Sequence, residues 1–417
     1  GGLFIEGDTI QEVGRSSDII QHHSTADKII DAKHHIILPG LINCHNHTMG
    51  SLRRYLGADL PILEWLKTSK WPYHSRLTPD IVAHGAHLGI LENLRFGNTT
   101  IVENYYPPRD QKQNADEIMK KVQATRIRCV FARGCLDDPK TSPEPFLETP
   151  QEFGAEYVRL YKTYHKTDTD LIQIALAPVN LRNNTSEGLE KLKELSDKYH
   201  LILHTHVAEG KAAVEQVKAQ FGKPYIEVFH DHGLVNERFH AAHAVWITPK
   251  EIQLLADAHA TVIYNPSSNM TLGSGVCPIP QLTTAKVNLA MGADSPGSNW
   301  TLDLLNHMGL GALLQKVHNL DPRIITAPDV LTMATKGGAI AIGLSDQLGS
   351  LEIGKKADII TVDTKQPHLQ PIFDPIAAIV YGATGTDVAT VIINGQLIVQ
   401  DKQILGIDHE TVILNAA

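Results

Sequence analysis

The sequence has no apolar stretch approaching the roughly 20 residues that a membrane span requires, so no membrane partner is expected. It also has no clustered stripe of Lys and Arg. Its 37 basic and 46 acidic residues leave a net charge of −9, which argues against a phosphate-neutralising face and against nucleic acid as a partner. Cysteine is scarce: Cys44, Cys129, Cys135 and Cys277 show no CxxC spacing, so neither a thiolate cluster nor a disulfide frame is expected. Scattered thiols fit a reducing compartment, and the expectation is a cytoplasmic, soluble protein with a small-molecule partner. No GxGxxG opens a helix, which weakens a doubly wound open sheet without removing it. The chain starts "GGLFIEGDTI", with no initiator Met and no signal-peptide pattern, and is read as a trimmed N-terminus.

What is present is β-rich at both ends and alternating in the middle. "GLFIEGDTIQEVG" and "KIIDAKHHIILPG" read as short antiparallel strands, as do "LGSLEIGKKADIITVD" and "VATVIINGQLIVQDKQIL" with an Asn394-Gly395 turn. Between them, strand-like runs such as "LILHTHVAE", "RFHAAHAVWI", "TVIYNP" and "VNLAMGADS" follow helical segments. One helix opens on Thr248, Pro249 and Glu251, a capping-box start. Strands alternating with helices over roughly 300 residues predict a parallel (β/α)8 barrel. The expected limits are 39–349 for the barrel, with 1–38 and 350–417 forming a small β-sandwich from both termini.

Three HxH pairs occur among 22 histidines, where roughly one is expected by chance. His230 and His232 sit in a turn-like, polar setting and read as a solvated helix end. His45/His47 and His204/His206 close apolar runs, and residues two apart on a strand share a face, here one that could open into a barrel mouth. Strand ends of the same type carry His243 and Asp294. The carboxylate of Asp294 is a metal ligand, a general base or the cap of the next helix. Imidazole and carboxylate donors suit Zn²⁺ or Fe²⁺ with one open position for water. His45, His47, His206 and Asp294 would form that set, and Glu209, three residues after His206, could shuttle protons.

Together "LPGLINCHNH", "LHTHVAEG", "AAHAV", "NPSSNMTLGSG", "GADSPGSN" and "LGSLEIGKKADIITVD" resemble the amidohydrolase superfamily, in its cytosine deaminase-like branch. That branch includes methylthioadenosine/S-adenosylhomocysteine deaminases and triazine hydrolases. The resemblance runs collinearly over essentially the whole chain and implies a (β/α)8 barrel with a terminal β-sandwich. It implies one divalent metal, Zn²⁺ before Fe²⁺, held by His45, His47, His206 and Asp294. Glu209 would move protons and His243 would hydrogen-bond the attacked face of the substrate. A bridging carboxylated Lys is not offered by "LIQIALAPV", so one metal is expected. The implied reaction is hydrolytic release of ammonia from an amino-substituted N-heterocycle by hydroxide generated on the metal. It differs from nucleobase-editing zinc deaminases, whose H-x-E and P-C-x-x-C are missing here. A homo-oligomer is also implied.

Departures from the family pattern fall on substrate positions. His74 stands where the relatives place a Glu for ribose hydroxyls, Val179 and Tyr264 replace histidines, and Arg133 matches one of two arginines that grip a carboxylate. Trp71, His74, Arg133 and Asn180 are the expected substrate contacts, and Trp65 and Trp246 are further candidates for stacking on a ring. A compact purine, pterin, pyrimidine or triazine is the expected substrate. The alternatives are an S-adenosylhomocysteine/methylthioadenosine deaminase, a hydrolase of the triazine chlorohydrolase type that expels a non-amine group, and a non-catalytic metal-binding scaffold.

Overall fold

A computed structural model describes residues 1–166 and 170–417 of the chain. Two strands, β1 (Gly2–Glu6) and β2 (Thr9–Gly14), pair as an antiparallel hairpin. Then β3 (His35–Pro39) joins a five-stranded antiparallel sheet whose other members come from the far end of the chain. Between them lies an eight-stranded parallel sheet in sequential order: β4 (Leu41–Asn46), β5 (Asn98–Tyr105), β6 (Arg128–Cys135), β7 (Ile172–Pro178), β8 (Leu203–Val207), β9 (Phe239–His243), β10 (Thr261–Tyr264) and β11 (Asn288–Met291). The terminal sheet is completed by β12 (Ile359–Asp363), β13 (Val388–Ile393), β14 (Gln396–Gln400) and β15 (Gln403–Ile404). Asn394 and Gly395, both at positive φ, make the expected two-residue turn between β13 and β14.

The parallel strands are buried on both faces because each face meets protein. Every residue of β4, β5 and β6 is buried, as parallel strands between a filled interior and an outer helical layer must be. Inward-facing Ile42, Val102, Val130, Ala132, Ala175, Ala177, Ala242, Ile263 and Ala290 form one apolar cluster, closed at the bottom by Ala339, Ile342 and Leu348. Outward-facing Ile101, Phe131, Ile174 and Leu176 pack against the helices, for example Ile118 and Leu160. The helix at Thr248 carries the expected capping box with Glu251.

The sheet closes on itself. Asn46 bridges Asp294 in parallel fashion, the Asp294 N–H donates to the His45 carbonyl at 2.8 Å, and the Ala293 N–H donates to Asn43 Oδ1 at 2.9 Å. The first and last strands therefore meet at their C-terminal ends. The hairpin rests on the terminal sheet through Ile10, Ala357, Ile359 and Ile392, with Leu3, Ile5 and Leu397 around them. This is the small sandwich built from both termini. No described helix is long and apolar enough to cross a membrane.

Candidate metal centre and its cavity

The pairing of β4 with β5 shifts register between Asn43 and Asn46, and such a shift re-aims the side chains that follow. His45 and His47 emerge there. They meet His206 from β8, and one ring nitrogen from each of the three lies within 4.8 Å of the others, close enough that they could hold a metal ion. His45, His243 and Asp294 meet the same criterion. The close approaches are His47 Nε2 to His206 Nε2 at 3.3 Å, and His45 Nε2 and His47 Nε2 to Asp294 Oδ1 at 3.4 Å each.

Each ring is tied from behind. His47 Nδ1 donates to the Asn104 carbonyl at 2.6 Å and His206 Nδ1 to the Val179 carbonyl at 2.6 Å. His45 Nδ1 lies 2.7 Å from His204 Nε2, His204 Nδ1 lies 3.3 Å from His240 Nδ1, and His240 Nε2 ends on the Ala341 carbonyl at 2.7 Å. A carbonyl only accepts, so neutral rings have one consistent assignment: His240 donates to Ala341, His204 donates to His240, and His45 donates to His204. His45 Nε2 is left with a lone pair, and it is a buried nitrogen without a hydrogen-bond partner. Burial pushes the imidazoles of His45, His47, His204 and His206 below their ordinary pKa. Burial alone would raise the Asp294 carboxyl, but His45, His243 and His47 around it win and hold it well below the usual range. Neutral imidazoles beside an ionised carboxylate are what a divalent cation requires. The donors present fit such an ion.

Two further residues of the expected set border this centre. Glu209 lies 4.0 Å from His243 Nδ1, while His243 Nδ1 itself donates to Asn269 Oδ1 at 2.8 Å and leaves its other nitrogen without a partner. His243 and Asp294 adopt φ of +73° and +64°, a left-handed conformation that is uncommon for residues with a side chain and is often found at functional sites. Ser268 donates to Asp294 Oδ2 at 2.5 Å, which steadies the carboxylate.

The centre opens into a cavity of about 530 Å³, mouth included, lined by Trp65, Trp71, Tyr106, Asn180, His206, Glu209 and Asp294, among others. Trp71 and Asn180, two of the expected substrate contacts, line this cavity. The other two expected contacts do not. Arg133 is fully buried on β6 and forms an ion pair with Glu148 at 2.5 Å, away from the cavity lining. His74 is buried behind the wall, with its ring 5.5 Å from that of Tyr106. Trp246 also stands apart, donating from Nε1 to the Ser274 carbonyl. Reading residues by alignment with a pattern cannot reveal that Glu148 neutralises Arg133 or that Tyr106 screens His74. Conversely, Lys70 and Arg182 line the cavity although the sequence gives no sign of it, because single basic residues in a helix and a short 3-10 turn carry no motif.

Residues 36–398 match the sequence profile of the amidohydrolase family. The chain belongs to the amidohydrolase family. Its similarity to the 5-methylthioadenosine/S-adenosylhomocysteine deaminase of Pyrococcus abyssi is 33% identity over 413 residues, covering 99% of this chain and 92% of that protein. Among solved structures, a zinc-bound adenosine deaminase from Xanthomonas campestris superposes with a TM-score of 0.92 at 30% identity, covering 99% of this chain and 91% of that one. A zinc complex of an atrazine chlorohydrolase from Arthrobacter aurescens gives a TM-score of 0.92 at 25% identity, with 99% and 94% covered. Within this amidohydrolase the barrel and the terminal sheet follow the layout expected from sequence.

Proposed function

We propose that this amidohydrolase is a zinc-dependent hydrolytic deaminase that releases ammonia from an amino-substituted N-heterocycle. The observation that carries the reading is the donor set: three imidazoles with their far nitrogens tied back and one ionised carboxylate, beside a cavity lined by Trp65, Trp71 and Tyr106. The relatives named as deaminases support the leaving group. His45, His47, His206 and Asp294 would hold a single ion. A divalent cation there supplies Lewis acidity and lowers the pKa of bound water from 15.7 toward about 7.

The remaining chemistry belongs to the side chains. Asp294, kept ionised, accepts the proton given up by the attacking water. Glu209 lends a proton to the ring nitrogen next to the amino-bearing carbon and then to the departing amine; the two protons it delivers are the two of the attacking water, one of them by way of Asp294, so both carboxyl groups end as they began. His243, anchored by Asn269, offers its free nitrogen to the oxygen entering at that carbon. Trp71 and Asn180 border the ring. The four free, buried cysteines accord with a reducing compartment, and a cytoplasmic location is part of the reading.

The test is an ammonia-release screen on zinc-loaded protein over purines, pterins, pyrimidines, triazines and S-adenosylhomocysteine, with metal content measured alongside. The expected result is ammonia from at least one member and about one zinc per chain. Silence across the panel with the metal in place overturns the deaminase reading, and two metals per chain overturn the single-ion site. The atrazine chlorohydrolase neighbour supports one other leaving group. Chloride release from a chlorotriazine, without ammonia from any member, would select it.

A further inference from the structure

Two cations line the cavity beside Glu209 and Asp294: Lys70, 5% exposed, and Arg182, 8% exposed. Among the described residues neither has a carboxylate oxygen within 4.0 Å. Lys70 Nζ faces aromatic rings instead, 5.6 Å from the centre of Trp65 and 5.4 Å from that of Tyr106. Among the described residues the only side-chain hydrogen bond of Arg182 is a long one, from Nε to Asn183 Oδ1 at 3.4 Å, and its terminal nitrogens donate to none of them. Arg53, equally buried, stands behind them with its guanidinium 4.6 Å from the Trp65 ring centre.

Buried charges are ordinarily paired, because an ammonium or guanidinium taken out of water without a counter-ion costs several kcal/mol. Burial first, and then the Arg53 charge, push the Lys70 ammonium down to about 8, so it stays mostly protonated at neutral pH. The two carboxylates in the lining cannot serve as its partners while they serve the metal and the proton transfers. The local backbone holds the arrangement: the helix widens to a π-type turn over Leu66–Lys70 just before Pro72, whose missing N–H cannot close an ordinary turn. Arg182 is fixed by its own N–H, which donates to Asn180 Oδ1 at 3.2 Å.

We propose that Lys70 and Arg182 form an anion subsite of this cavity, so that the substrate is an amino-heterocycle bearing a carboxylate or a phosphate. The proposal rests on the deaminase reading for the word substrate and for the duties given to Glu209 and Asp294. Lys70 and Arg182 would take the role that the sequence pattern offered to Arg133, which is spent on Glu148.

The experiment titrates zinc-loaded protein calorimetrically with ligand pairs that differ by one acidic group: pterin against 6-carboxypterin, and adenosine against adenosine 5′-monophosphate. At least one anionic member should bind about tenfold or more tighter than its neutral partner, as one charge-assisted hydrogen bond would give. The carboxylate and phosphate pairs tell the two chemistries apart. Lys70→Met and Arg182→Met should each reduce the preference severalfold, with Lys70→Gln and Arg182→Gln as second variants and circular dichroism to confirm folding. No preference for an anionic member, including no binding by either member of both pairs, overturns the subsite, as does a preference unchanged in the folded variants. Because affinity and ammonia release are read in separate measurements, a kept preference with no ammonia counts against the deaminase reading alone. Ammonia from neutral ligands bound as well as their acidic partners counts against the subsite alone.

Discussion

Replacing His204 by Leu should weaken zinc binding although His204 is not itself placed in the donor set. The ring sits between two others, accepting from His45 Nδ1 at 2.7 Å and reaching His240 Nδ1 at 3.3 Å. Leucine leaves the His45 N–H and the His240 lone pair buried without partners, at about 1–3 kcal/mol for each orphan. The His45 share falls on the metal, since a ring no longer held from behind can turn or move its proton to the nitrogen that should ligate. Loss of an outer partner of this kind typically costs about 10–100-fold in metal affinity, or about 1.4–2.8 kcal/mol, which falls within the cost of one orphan. Zinc affinity is read by competition with a chromophoric chelator, and the melting temperature of the metal-free protein is followed separately. His204→Gln, whose amide oxygen can accept from His45, should recover part of the affinity. If His204→Leu lowers the melting temperature but keeps the zinc dissociation constant within about twofold of wild type, His204 only fills space and the relay is refuted.

Glu209→Gln should retain zinc and lower kcat by about 10²–10⁴-fold, since it removes a proton carrier and no proposed ligand; a variant with more than about a tenth of the wild-type rate would remove Glu209 from the mechanism. Glu103 offers a stability test with a defined sign. Its carboxylate is fully buried and accepts from the backbone N–H and hydroxyl of Thr48 and from Asn46, but burial outweighs these donors and raises it from 4.5 to about 8. An acid whose pKa is raised on folding holds its proton in the folded state where the unfolded chain has lost it. Stability should therefore fall as pH rises from about 4.5 to about 8 and level off above, by a few kcal/mol at about 1.4 kcal/mol per pH step. Glu103→Gln should flatten that slope in urea melts across the window. An unchanged slope would show that Glu103 ionises without cost.

The barrel was legible because its signal is periodic. Short apolar runs and amphipathic helices alternate along the chain, and "LIQIALAPV" and "VNLAMGADS" end as strands β7 and β11, with Asp294 just past the end of β11. Residues at strand ends were legible for the same reason, since the end of a run locates them at one mouth. His230 and His232 were also readable as a helix end, and the structure has them at the close of the helix Tyr225–Asp231. What a pattern does not carry is who faces whom. Arg133 and Glu148 are 15 residues apart with no repeat connecting them, and nothing in either segment announces an ion pair. Lys70 reads as one more solvated lysine in "LKTSKWP", because the π-type turn that accompanies its burial is a property of the folded helix. His240 sits in "RFHAAHAV", where its spacing to His243 draws the eye, and its contact with His204 comes from the cross-strand register of β8 and β9.

That register also explains why the donor set lies where it does. A barrel has one seam where its last strand must find its first, and here the seam is sealed near the C-terminal ends by the Asp294 N–H on the His45 carbonyl and by Asn43 on the Ala293 N–H. Two of the proposed ligands are thus joined by a main-chain hydrogen bond before any ion arrives. The left-handed backbone of Asp294 is the local cost of turning its carboxylate toward the histidines while its N–H stays in the seam, and Ser268 fixes the result from the other side. Side chains held in this way lose little freedom when a metal binds, so affinity rests on geometry already present in the fold. It follows that Asp294→Ala should disturb zinc binding far more than barrel closure, because the seam uses the Asp294 backbone and the site uses its side chain.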